Sequence, residues 1–219
     1  MNSYVIVGIL VIGALSSMSS GPVMMLIFIF FFLLLERHKN YIKPLLIFLV
    51  ISLLLVEVLS NRTFYHVLAS YADPIGGSGW HRAKLLDVAI ERFGEWWLAG
   101  YGLQDPGWGD AVGMTWTDIT NHYLVAGVKY GLLGVIALCG MLVVCLRMLI
   151  RFHNSTLSPM QKSWYWAMGS IIVALIISFN AFTLFGQANT LYNCILGFVA
   201  SSADLSLNSD HIRLTRVSQ

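Results

Sequence analysis

The chain has 219 residues, of which 57% are hydrophobic and 11% charged, with a formal net charge of +2. Soluble domains carry roughly 25% charged residues, so this composition excludes an ordinary soluble domain and points to an integral membrane protein, in line with a mean hydropathy of +0.72. So even a charge balance offers no polycationic surface, and nucleic acid is not an expected partner.

A helix needs about 20 apolar residues to cross a bilayer. Six segments approach that, at 3–17, 21–36, 43–60, 122–147, 164–182 and 187–202. The expected fold is therefore an all-α integral membrane protein of about six transmembrane helices, with one large extracytoplasmic loop that contains an amphipathic helix. Residues 1–60 hold three spans, 61–121 the loop, 122–202 three more spans, and 203–219 a polar cytoplasmic tail. The N-terminal stretch has the hydropathy of a signal peptide. It lacks a basic leader, and Ala14-Leu15-Ser16 is a poor cleavage site, so it reads as a span. The first two spans meet at Ser17-Met18-Ser19-Ser20-Gly21-Pro22, which reads as a tight turn. Pro22 suits the first turn of the next helix, where its missing N–H is not needed.

Orientation follows from lysine and arginine. Arg37, Lys39 and Lys43 lie between spans two and three, Arg147, Arg151 and Lys162 between four and five, and Arg213 and Arg216 in the tail. These fall on one side of a six-span protein, which places the 61–121 loop outside and both termini in the cytoplasm. In a double-membrane bacterium that outer side of the inner membrane is the periplasm. Cys139, Cys145 and Cys194 all lie in apolar stretches and read as small buried hydrophobes, not as a disulfide or metal framework. No metal site or cofactor is expected.

Within the loop, residues 73–79 are turn chemistry leading into a helix over about 80–97. On a helical wheel Leu85, Leu86, Ala89, Ile90, Phe93, Trp96 and Trp97 form one stripe, while Lys84, Asp87, Glu91 and Glu95 form a solvated face. Arg82 falls in the middle of the apolar stripe. Two readings stand: an arginine that snorkels along the surface to a nearby acid, or a fork that clamps a phosphate.

His122 opens the fourth span, with Asp118 or Thr120 as its expected cap. At a helix N-terminus the dipole favours the neutral ring, which can accept a proton. Its alternative role is an interfacial anchor. Asn121 beside it suits either a helix start or a sugar hydroxyl. Trp80, Trp108 and Trp116 suit stacking on sugar rings or anchoring at the interface. Glu57, near the outer end of span three, is either a functional residue or a partner for Arg62. His38, His66, His81, His153 and His211 are scattered without ligand spacing.

Three of these features carry a resemblance. They are the Ser17–Pro22 turn between two spans; Gly79-Trp80-His81-Arg82 opening a helix, followed by Leu98-Ala99-Gly100-Tyr101-Gly102; and Thr120-Asn121-His122-Tyr123-Leu124, followed by Tyr130-Gly131-Leu132-Leu133-Gly134. In order and spacing the chain resembles the O-antigen ligase / O-antigen polymerase superfamily of bacterial membrane glycosyltransferases. It covers the C-terminal half of such a protein, so a fragment or one half of a split protein is expected. Ser20 departs from the family, whose turn often carries arginine there. That removes one phosphate contact and makes a polymerase as fitting as a ligase.

The resemblance implies a metal-independent glycosyl transfer without cofactor. The implied partners are an undecaprenyl-diphosphate-linked glycan as donor, a glycan or lipid A-core as acceptor, and membrane lipids. It implies Arg82 at the diphosphate and His122 at the acceptor hydroxyl, with Asn121, Trp80, Ser19, Ser20 and Gly21 binding substrate. The alternative is a non-catalytic membrane subunit, a transporter half or an inactive fragment of such an enzyme. A transporter needs polar breaks near mid-bilayer. The clearest one here, Asn180, Gly186, Gln187 and Asn189, lies toward the outer face.

Overall fold

The computed structural model describes residues 3–16, 20–61, 63, 65–67, 78–155 and 158–217, with backbone alone at 3–4, 20, 78 and 203–217. Ser17 to Ser19, Arg62 and the turn at 73–77 lie outside these residues. Every regular element among them is helical: α1 (Ser3–Ser16), α2 (Ser20–Leu35), a 3₁₀ segment (Glu36–Tyr41), α3 (Ile42–Leu59), α4 (Ser78–Glu91), α5 (Phe93–Trp96), a 3₁₀ turn (Asp110–Val112), α6 (His122–Asn154), α7 (Pro159–Ser178) and α8 (Gly186–Val217). Two helical stretches, Gly21–Leu59 and His122–Asn154, are long and apolar enough to cross a membrane, and Val5–Ser16 is a shorter apolar helix.

The helices pack as a bundle around α6. Leu138, Leu142, Cys145 and Leu149 of α6 meet Met168, Ile172 and Leu175 of α7 and Tyr192, Leu196 and Val199 of α8. These positions recur at three- and four-residue steps, so each helix turns one continuous apolar stripe inward. Helix α2 packs on α7, and α3, which has no buried residue, makes its contacts with the 3₁₀ segment. One end of the bundle is tied by Trp166 Nε1 donating to the Phe32 carbonyl at 2.8 Å and Ser163 Oγ to Glu36 at 2.7 Å. Lys39 Nζ meets His153 Nε2 there at 2.7 Å. Helix α7 opens with a full capping box, Ser158 and Gln161, and Pro159 in its first turn.

The polar loop builds a second core against the first two turns of α6. Leu85, Val88 and Ala89 of α4, Trp96 of α5, Trp108 and Val112 surround Leu124 and Val128 of α6. The loop helix expected over 80–97 is in fact two helices, because Arg92 leaves helical geometry (φ −97°, ψ 21°). Its buried face is also rotated from the expected stripe. His81, Leu85, Val88 and Ala89 are buried, whereas Ile90, Phe93 and Trp97 are exposed and Arg82 sits half-buried at the edge. A wheel drawn through residue 97 averages across the break and so misplaces the stripe. The acidic face is not wholly solvated. Asp87 accepts from Tyr65 Oη at 2.8 Å and meets His66 Nε2 at 3.1 Å, and Glu95 accepts from Tyr101 Oη.

Helix α8 continues through the expected tail to Val217. Two further expectations are corrected. Asn121, not Asp118 or Thr120, caps α6. Of the cysteines only Cys145 is buried; Cys139 and Cys194 lie on exposed helix faces.

Helix α6 is broken at Gly131 (φ 70°, ψ −170°), in backbone territory that only glycine occupies readily. The break removes the helical bond between Leu132 N–H and the Val128 carbonyl. The loop replaces it from both sides. Leu132 N–H donates to Trp97 O at 2.7 Å, and Tyr101 N–H donates to Val128 O at 2.6 Å. Gly102 N–H adds a bond to Lys129 O at 3.0 Å. Contact is too close for side chains. A Cβ at Gly131 would lie 2.5 Å from Leu98 O, and one at Gly100 would lie 2.5 Å from the Lys129 carbonyl carbon.

These glycines are therefore expected to form a graded series. Gly140→Ala, which meets nothing within 4 Å, should leave thermal stability in detergent unchanged or raise it. Gly102→Ala (φ +64°, open space) should cost about 1 kcal/mol of backbone strain. Gly100→Ala and Gly131→Ala should cost more than either, since strain and clash add. Equal melting temperatures across the series would refute the inserted junction.

Candidate functional site

Beside this junction, where α6 begins, lies a cleft of about 680 Å³ whose lining includes Gln104, Asp105, Trp116, His122, Lys129 and Asn189. Three regions form it: α6 from His122 to Met141, the 102–119 loop, and the end of the α7–α8 connection with the first turn of α8.

His122 is held from three directions. Its backbone N–H donates to the Phe179 carbonyl at 2.8 Å. Its ring packs on the Phe179 ring at 4.5 Å between centroids. Leu184 N–H approaches Nδ1 at 3.5 Å, the long limit of a hydrogen bond. If Nδ1 accepts, the neutral ring carries its proton on Nε2, a tautomer inferred from the network. Phe179 is itself fully buried, between Tyr123, Phe182 and Tyr192.

Asn121 is buried, and its Oδ1 accepts from Leu124 N–H at 3.0 Å, so its side chain serves the helix start. Gly21 reaches the same end of the bundle. It is buried against Phe182, where a Cβ would stand 3.0 Å from the ring. Two aromatic rings, Phe182 and Phe179, separate it from His122. Ser20 opens α2 with its side chain outside the described residues, and Ser19 lies outside them altogether.

The tryptophans divide. Trp116 is 65% exposed and lines the cleft; Trp108 is fully buried in the loop core and is no stacking platform; Trp80 is exposed away from the cleft lining. Arg82 also does not line it. Its neighbour His81 does more than its scatter in the sequence implied. It is buried, and Nε2 bonds the Asp118 carbonyl at 3.0 Å, tying α4 to the run that leads into α6.

Asp105 organises the loop wall. Oδ1 accepts from Gly107 N–H at 2.9 Å and Oδ2 from Thr117 N–H at 3.3 Å. Hydrogen bonds from the Thr117 side chain first, and then from these amides, hold its carboxyl below the usual carboxylate range. The clasp therefore favours the ionised loop at neutral pH and weakens only as the pH falls through that lowered value. Among the described residues no group of three or more His, Cys, Asp or Glu is arranged to hold a metal ion.

Lys129 is hidden in the sequence by the apolar average of the fourth span. The signal was present: it lies seven residues after His122, two turns along the same helix face. Asn189 belonged to the polar break between the last two spans, and the fold turns that break into one wall of the cleft.

Comparison with protein-family models, curated proteins and solved structures finds no match to this chain. The cleft's chemistry is therefore read from its own residues.

Substitution separates structural from lining roles. Asn121→Ala is expected to cost about 1 kcal/mol of stability and Asn121→Ser to restore most of it. Trp108→Ala should cost about 3–5 kcal/mol, whereas Trp116→Ala should stay within about 0.5 kcal/mol. Thermal melts in one detergent check all four. An Asn121→Ala protein as stable as the parent would remove the capping role.

Proposed function

We propose that this chain is a bacterial inner-membrane glycosyltransferase that moves a glycan from an undecaprenyl-diphosphate carrier to an acceptor hydroxyl. The acceptor is a growing glycan in a polymerase, or lipid A-core in a ligase. The cleft carries the reading. A positioned histidine stands at the start of an apolar, membrane-length helix, facing a space bounded by amides, carboxylates, a lysine and an exposed tryptophan. Glycan hydroxyls need such hydrogen-bonding groups and an aromatic face, and a lipid carrier delivers the glycan at that depth.

The six-span arrangement with the 61–121 loop outside belongs to this proposal. Two observations support it. Gly21, His122 and Phe182 gather at one end of the bundle, while Glu36, Lys39, His153 and Ser163 gather at the other. The second end carries the lysines and arginines of the short connections, as a cytoplasmic face does.

In this reaction the acceptor oxygen bonds the anomeric carbon as the bond to the diphosphate oxygen breaks. The diphosphate departs with the electron pair and takes up the hydroxyl proton. It is already a good leaving group, so catalysis rests on placement and on balancing its charge. Where Nδ1 accepts the long contact from Leu184 N–H, His122 offers an N–H at Nε2. It suits a donor that positions an oxygen better than a base that strips a proton.

His122→Ala at the native locus is expected to lower transfer by about 10²–10³, the loss expected for one positioned donor, with the protein still expressed. His122→Gln, which keeps a donor, should retain more activity than the alanine variant. Gels of surface and lipid-linked glycans read the outcome. Long lipid-linked chains with a bare acceptor mean a ligase; single repeats without long chains mean a polymerase. An unchanged profile at normal expression would overturn the enzyme reading in favour of a non-catalytic subunit, and a glutamine variant as inactive as alanine would overturn the donor role.

A further inference from the structure

Lys129 stands seven residues inside a helix that is long and apolar enough to cross a membrane. An ammonium on so apolar a helix is destabilising unless it meets water or an anion, and Lys129 meets neither bilayer nor core where the polar loop backbone crosses α6 beside the Gly131 break. Its backbone is fixed: its carbonyl accepts from Gly102 N–H at 3.0 Å and lies against Gly100. Its side chain is exposed and lines the cleft. Among the described residues no carboxylate forms an ion pair with it, although Asp105 and Asp118 line the same cleft.

The other source of positive potential at this place, the helix start, is engaged in part by the chain itself. At the start of α6, His122 N–H is taken by the Phe179 carbonyl and Leu124 N–H by Asn121 Oδ1. Lys129 is also the one lysine or arginine among the described residues that line the cleft; Arg82 is not one of them. Seven residues put Lys129 on the His122 face, about 10 Å farther along the axis, toward the apolar length of α6. An anionic headgroup whose tail lies in the bilayer and whose glycan reaches toward His122 fits that order.

We infer that Lys129 binds the diphosphate of the lipid-linked donor, and that Arg82 is not needed for this binding. The inference rests on reading the cleft as the site of glycosyl transfer. An ammonium acts as a point charge without the paired geometry of a guanidinium fork, so any cation of similar reach serves.

The test uses the full chain in detergent micelles, titrated with undecaprenyl diphosphate and followed by native mass spectrometry, with undecaprenol as the uncharged control. Lys129→Ala is expected to weaken binding about tenfold or more, the loss expected when a charged hydrogen-bonding partner is removed. Lys129→Arg and Arg82→Ala should stay within about twofold of the parent. Inorganic diphosphate should compete with the lipid in the parent and not in Lys129→Ala. If Lys129→Ala melts early, Lys129→Gln takes its place. Undiminished binding in a folded Lys129 variant, or a tenfold loss in Arg82→Ala, would overturn the inference and leave the glycosyltransferase reading standing. A parent protein that does not prefer the diphosphate over undecaprenol would overturn both.

Discussion

One exchanged hydrogen bond organises the cleft end of this protein. An unbroken α6 would join Leu132 N–H to the Val128 carbonyl. Gly131 breaks that bond, and the backbone of residues 97–101 enters the gap, Trp97 accepting on one side and Tyr101 donating on the other. Backbone groups left unpaired in an apolar setting cost several kcal/mol each. The break and the inserted loop therefore stand or fall together. Gly100 and Gly131 are required because the two backbones meet where a Cβ would lie 2.5 Å from the opposing chain.

That junction fixes two further features. It holds the loop core, with Trp96, Trp108 and Leu85 closed over Leu124 and Val128, against the first turns of α6. It also anchors the Lys129 carbonyl while leaving the side chain in the cleft. The opposite wall depends on Phe179, whose carbonyl receives His122 N–H and whose ring supports the imidazole. Through Phe182 the same aromatic stack reaches Gly21 at the start of α2. The cleft lining thus runs from Gly102 to Asn189, and the aromatic stack behind it reaches back to Gly21.

Much of the helical framework was legible in the sequence, because apolar run length is a local property. Helices α1, α2 and α3 begin and end within a few residues of the expected spans, and α7 announces itself by the Ser158–Gln161 box. His122 and Trp116 were also legible as site candidates. What failed did so for physical reasons. Helical periodicity does not report the break at Arg92, and the buried face of the loop helix is set by the Leu124 and Val128 side chains it meets. Trp108 looked like a platform because an aromatic in a polar loop cannot be told from a core residue until the loop closes on it. Lys129 was lost in the average of an apolar span.

By itself the sequence determined an all-helical chain with membrane-length apolar segments, since length and hydropathy act residue by residue along one helix. It also marked the two glycine-containing motifs, Leu98-Ala99-Gly100-Tyr101-Gly102 and Tyr130-Gly131-Leu132-Leu133-Gly134, without indicating that they interlock. Only the tertiary structure decided that they do, and that Asn121 caps, Phe179 supports and Lys129 lines the cleft. Those roles depend on which backbone groups lack a local partner and on which distant segment supplies one, and no property of a single segment contains that information.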